Sequence, residues 1–98
     1  MRPEVFRALS DESRLEVLKR LAMAREAVTV TQVADCCGVH LSGVSRHLSI
    51  LRSAGLVTAR KAGREVLYTL RAEALTKALR GLADAIDACP ACCDANNG

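Results

Sequence analysis

A chain of 98 residues, 50% hydrophobic but only 2% aromatic, with a formal net charge of +3 and a pI near 8.8, has room for one domain and none for a second independent core. A core of Leu, Val and Ala with one Phe and one Tyr is thin, so self-association is expected, and the mild basicity permits an anionic partner without requiring one. No apolar run approaches the ~20 residues that cross a bilayer, and "MRPEVFRALSDESR" becomes charged before a signal peptide's apolar segment could form, so a cytoplasmic protein with no membrane partner is expected.

In chain order, "VFRAL" comes first, where Val5, Phe6 and Leu9 form a short helical stripe. "SDESRLEVLKRLAMA" opens a second helix. Ser10 or Asp11 can cap it, acidic residues follow in its first turn, and Leu15, Leu18, Leu21 and Ala22 are its expected buried face. "TVTQVADCC" predicts a third helix of about two turns, with Val30, Val33, Ala34 and Cys37 on one face and Gly38 stopping it. After the turn "GVHL", "SGVSRHLSILRSAG" predicts a fourth helix with Ser42 as its cap, an inward stripe of Val44, Leu48 and Leu51, and Gly55 at its end. The period then changes: "LVTAR" and "EVLYTL" are β-branched and alternating, and "KAGR" joins them into a hairpin. The last helix is "AEALTKALRGLADAIDAC". Its Leu75, Leu79, Leu82, Ile86 and Cys89 recur at spacings of 4, 3, 4 and 3, the heptad seam of helices that pair with one another, and Pro90 disfavours continuation. A folded unit over 1–88 and a cysteine-rich tail over 89–98 are therefore expected.

Helix, helix, turn, helix, hairpin is the order of a winged helix-turn-helix, so the expected fold class is mainly α with a β-hairpin. With about 100° per residue, Val44, Leu48 and Leu51 point inward while Ser42, Arg46, Ser49 and Ser53 point out, with Ser45 and His47 on the borders. Small hydroxyls and one Arg can enter a major groove and bond base edges or phosphates. Arg60, Lys61 and Arg64 surround the hairpin glycine as a cationic tip suited to backbone phosphates. Singly, such residues are ordinary solvated surface; their order along the chain is what points to double-stranded DNA. The candidate DNA-binding set is Ser42, Ser45, Arg46, His47, Ser49, Arg60, Lys61 and Arg64.

"LSDESRLEVLKRL", "VSRHLSILRSAGLV" and "RKAGREVLYTL" closely resemble the ArsR/SmtB family of dimeric metal-responsive repressors, over residues 5–70. The run Ser45-Arg46-His47-Leu48, then Leu51-Arg52 and Gly55-Leu56-Val57, carries the likeness. What the resemblance implies is a homodimer paired through its first and last helices. One recognition helix per subunit would read half-sites of an inverted repeat, and an inducer would lower affinity for the operator. It does not supply the sensor, because such repressors place ligands at several unrelated spots on one scaffold. The Cys-Val-Cys arsenic motif of the family aligns with Thr29 and Thr31 here, and its Asp and His zinc pairs on the last helix meet Asp84 and Asp87 but no histidine. Neither family site is present.

What remains is two clusters, Cys36-Cys37 and Cys89, Cys92, Cys93. Cys37 continues an apolar stripe and Cys89 lies on a seam, so each has a packing alternative. Cys36 lies off that stripe, and Cys92 and Cys93 follow Pro90 in a polar tail where packing explains nothing. An odd number of thiols suits a disulfide framework poorly. "CPAC" is not read as an oxidoreductase site, because it follows the C-terminal end of a helix, whose dipole opposes a thiolate, and no β-α-β pattern surrounds it. No enzyme is expected. A zinc ribbon would need a second C-x-x-C, and neither His40 nor His47 is read as a metal ligand. Thiolates without imidazole or oxygen partners select soft ions: As(III) or antimonite in three-coordinate sites, or mercury, cadmium or lead, with zinc a further candidate. The expected function is a dimeric operator-binding repressor released by such an ion. The alternative is the same repressor sensing oxidants or reactive sulfur, and a third reading is a DNA-binding or dimerisation module whose thiols regulate nothing.

Overall fold

In a computed structural model of the protein, which describes residues 3–38 and 40–88 without the side chain of Cys37, the chain runs α1 (Pro3–Ala8), α2 (Glu12–Met23), α3 (Val30–Cys37), α4 (Leu41–Ser53), β1 (Val57–Ala62), β2 (Glu65–Leu70) and α5 (Ala72–Asp87). Local chemistry accounts for most of these boundaries. Of the two candidate caps for α2, Asp11 is used: its carboxylate accepts the Arg14 N–H at 2.9 Å. Thr29 and Gln32 close a reciprocal capping box at the start of α3, with bonds of 2.9 and 3.2 Å. Gly38, at φ 65°, ends α3 in the left-handed conformation that a side chain resists.

α4 begins earlier than expected. The position before its first turn is held by His40, with no side-chain cap, and Ser42 lies inside the helix. The Ser42 hydroxyl instead meets the His40 ring Nδ1 at 3.2 Å. The inward stripe of α4 is as expected, with Val44, Leu48 and Leu51 fully buried. That of α2 is rotated: Val17, Leu18 and Leu21 are buried, while Leu15 is 39% exposed and Ala22 is also outside. The reason is that α2 packs against α3, α4 and β2 together, and the side carrying Val17 and Leu21 faces all three. Val5 and Ala8 of α1, Val28, Val33 of α3, Ala54, Leu56 and Val57 complete the core.

β1 and β2 form an antiparallel ribbon in register from Val57↔Leu70 to Ala62↔Glu65. Gly63, at φ 64°, and Arg64, which lacks a positive φ, make its two-residue turn, the Gly-X pattern of a type II′ hairpin. Lys61 and Ala62, read as loop in the sequence, are thus the end of a strand. Val28 adds a single bridge to the ribbon: its N–H donates to the Tyr68 carbonyl at 3.0 Å and its carbonyl accepts the Tyr68 N–H at 2.8 Å. One paired residue leaves no periodicity to read. α5 rests on the body by Ala74, Leu75 and Ala78, yet none of its residues is buried. Leu75 therefore packs against the core, while Leu79 and Ile86, the next outward positions of the seam, are 46% and 53% exposed. No helix among the described residues is long and apolar enough to cross a membrane.

Candidate nucleic-acid interface and thiol sites

The buried stripe of α4 fixes which side of that helix faces out. Because Val44, Leu48 and Leu51 are pinned against α2 and α3, Ser42, Ser45, Arg46 and Ser49 are all exposed, as are Arg52 and Ser53. This is the surface that helix-turn-helix docking presents to a major groove. His47 behaves differently from its neighbours. It is half-buried, and its Nδ1 is closed off from solvent without a hydrogen-bond partner among the described residues. The Asp11 carboxylate is held below its ordinary pKa first by the Arg14 N–H bond, with smaller contributions from the Arg14 guanidinium and from His47, while partial desolvation opposes them. His47 therefore belongs to the junction of α4 with the start of α2 at least as much as to the outer face.

The three wing cations are all exposed but are not one cluster. Antiparallel register puts Arg60 with Leu67 on one face of the ribbon and Lys61 with Val66 on the other, and Arg64 stands in the turn. The two strand cations therefore stand on opposite faces of the ribbon, with Arg64 at its tip. Sequence order had brought them together; side-chain alternation along β1 separates them.

Two further arginines were not singled out by their sequence context. A cleft of about 490 Å³ opens between α1, the start of α2 and the second half of α4, with Arg7, Arg14, Ser49 and Ser53 in its lining. Arg14 donates from Nη1 to the Ala8 carbonyl at 3.2 Å, which joins α1 to α2, and its Nε is buried without a hydrogen-bond partner among the described residues. Only the tertiary fold brings residues 7 and 14 alongside 49 and 53.

Of the five candidate thiols, Cys36 is on the last turn of α3, exposed and free. This matches its expected place off the packed stripe. The side chain of Cys37 and the whole of Cys89, Cys92 and Cys93 lie outside the described residues. Among the described residues, no group of three or more Cys, His, Asp or Glu side chains converges to hold a metal.

Three core-anchored helices, a two-stranded wing and an outward polar helix face define a winged helix-turn-helix domain. Residues 9–60 match the helix-turn-helix domain family. A transcriptional repressor SmtB homolog of Synechocystis is 41% identical over 81 residues, which are 83% of this chain and 60% of that protein. An ArsR-like transcriptional regulator from Rhodococcus superposes with a TM-score of 0.80 at 32% identity, covering 95% of this chain and 86% of that one. A homodimeric winged helix-turn-helix DNA-binding domain from Mycobacterium bovis, described as a possible ArsR-family regulator, gives 0.69 at 29% identity over 87% of this chain and 77% of that one. The chain belongs to the ArsR/SmtB family of winged-helix transcriptional regulators, a family of DNA-binding proteins rather than enzymes.

Proposed function

We propose that the protein is a homodimeric repressor that binds operator DNA through α4 and is released from it by a thiophilic ion held by cysteine thiolates. The observation that carries the DNA half is the outward face of α4, where Ser42, Ser45, Arg46 and Ser49 are exposed on a helix whose opposite face is fully buried. Arg46 supplies the strongest base-reading group, a planar donor fork suited to guanine, and the wing cations contact phosphates. Dimerisation through α5 suits its exposed Leu79 and the homodimeric state of the Mycobacterium bovis relative.

The sensor half is supported by donor chemistry. Cys36 and Cys37 offer two thiolates on a stiff helix, and the 89–98 tail offers Cys89, Cys92 and Cys93. A trivalent arsenic centre uses three sulfurs, so joining the clusters fills a site that the helix alone leaves short; cadmium, lead, mercury and zinc are alternative ions. α3 packs directly on α4, so tying Cys36 or Cys37 to the tail can shift the recognition helix. A coupling of about 1–3 kcal/mol gives roughly 5–150-fold weaker operator binding. The exposure of Cys36 also favours a second reading, in which two thiols give up two electrons and two protons to a peroxide and close a disulfide.

The test is operator release followed by fluorescence anisotropy in excess thiol reductant, with arsenite, cadmium and zinc added in turn. Cys36→Ser/Cys37→Ser and Cys92→Ser/Cys93→Ser proteins should still bind the operator and fail to release it. Normal release by both variants would remove the thiols from the sensor, and release by peroxide alone would select the redox reading.

A further inference from the structure

The outward residues of α4 are hydrophilic with one exception. Leu41, the first residue of the helix, is 49% exposed. Among the described large apolar residues of α4, it alone is neither in the core nor packed against it, since Val44, Leu48 and Leu51 are buried and Ile50 lies on them. Helical periodicity places Leu41 one turn before Ser45 and in line with Val44 and Leu48, so it carries the inward stripe past the end of the core to the border with Ser45 and Ser42. This is the N-terminal end of the recognition helix, the part that meets base edges when such a helix enters a major groove. Packing leaves 49% of this leucine exposed, and a leucine side chain cannot cap the helix.

The major groove carries one apolar mark, the C5-methyl group of thymine. We infer that Leu41 reads a thymine methyl at the edge of each half-site, a specificity contact that rests on the DNA-binding role proposed above for α4. Its neighbours give the point force. The Ser42 and Ser45 hydroxyls both donate and accept, so they bond several base edges comparably and select weakly. An apolar side chain beside them disfavours the bare amino and carbonyl edges and favours the methyl, which gives this end of the face a preference that hydroxyls cannot provide.

The experiment replaces the thymines of an operator selected by the wild-type protein, one position at a time, with deoxyuridine. That change keeps every hydrogen-bonding group and removes only the methyl. One thymine per half-site should stand out, its replacement weakening the wild-type protein about four-fold, the equivalent of roughly 0.8 kcal/mol for burial of one methyl-sized group. Leu41→Ala should bind the thymine operator as weakly as the wild type binds the uridine one, and should be indifferent to that replacement. Leu41→Ala changes an exposed side chain, so equal melting temperatures for the two proteins establish that folding is not the cause. If both proteins bind the selected operator and no uridine position distinguishes them, Leu41 reads no methyl. If the wild type selects no operator at all, the DNA-binding role of α4 fails and this inference falls with it.

Discussion

α4 and α5 are both amphipathic, and both stripes are plain in the sequence, yet they end in opposite states. The apolar residues Val44, Leu48 and Leu51 of α4 are wholly enclosed, because α1, α2, α3 and β1 all pack around that helix. α5 is longer, 16 residues against 13, and has no buried residue. Among the described residues, its Ala74, Leu75 and Ala78 pack against the core, and Leu79 remains 46% exposed. An amphipathic stripe thus announces that a helix will be covered, and the connectivity decides by what. α4 sits between elements close to it in the chain, whereas α5 is delivered by the hairpin to one side of a core that is already filled. A thin core with few aromatics leaves a large apolar helix face for a second copy to cover.

The largest effect should separate these two helices. Leu48→Ala empties a fully buried position and should cost about 2–5 kcal/mol, lowering the melting temperature by roughly 4–8 °C per kcal/mol at every protein concentration. Leu82→Glu, on the half-exposed stripe of α5, should act through assembly instead. It should leave secondary structure intact, reduce the sedimentation coefficient at micromolar concentration to that of a monomer, and abolish any rise of melting temperature with concentration. A Leu82→Glu protein that sediments like the wild type would take the α5 stripe out of the dimer interface.

The next contrast lies between α4 and the wing. Arg46→Ala should weaken binding to a selected operator by about 1–3 kcal/mol and relax the base preference at one position, with little change on unrelated duplex. Arg64→Ala should weaken binding to all duplexes alike and reduce the slope of log K against log salt by about one. If Arg46→Ala lowered affinity for every sequence equally, its side chain would be a phosphate contact, and base reading would rest with the serines and Leu41.

The fold was legible because each element carried its own local signal: the helical stripe of Val44, Leu48 and Leu51, the Gly38 stop, the change of period at "LVTAR" and the glycine turn of "KAGR". The errors lie where tertiary geometry decides. Leu15 and Val17 are equally apolar, and only the placement of α2 against three neighbours chooses between them. Ser42 is a good cap by composition, but the chain enters α4 at His40. Val28 pairs through one residue, which has no pattern. For the site, the outward face of α4 could be read because burial of one side dictates exposure of the other. The spread of Arg60 and Lys61 over two faces could also have been read, from alternation, once "KAGR" was recognised as two strand residues and a two-residue turn. The convergence of Arg7 and Arg14 with Ser49 and Ser53 could not, since those pairs lie 35 or more residues apart.

The smallest effect concerns the Asp11 cap at the start of α2. The Asp11 carboxylate accepts the Arg14 N–H at 2.9 Å, and this bond above all, aided by the Arg14 guanidinium and His47 against partial desolvation, lowers its pKa from the ordinary 3.8. A pKa lower in the folded than in the unfolded state means that the unfolded chain binds the proton more readily. The stabilisation is therefore complete above the unfolded value and is lost as pH falls below 3.8 through the folded one. Asn caps helices as well as Asp does but does not titrate. Asp11→Asn should accordingly melt close to the wild type at pH 7, apart from the loss of attraction to Arg14, and Asp11→Ala should melt lower than both. On acidification through pH 3.8 the wild type should lose more than Asp11→Asn, so that the margin between them shrinks or reverses. Parallel acid profiles for the two proteins would mean that the Asp11 pKa is not lowered on folding and that its ionisation adds nothing to the cap.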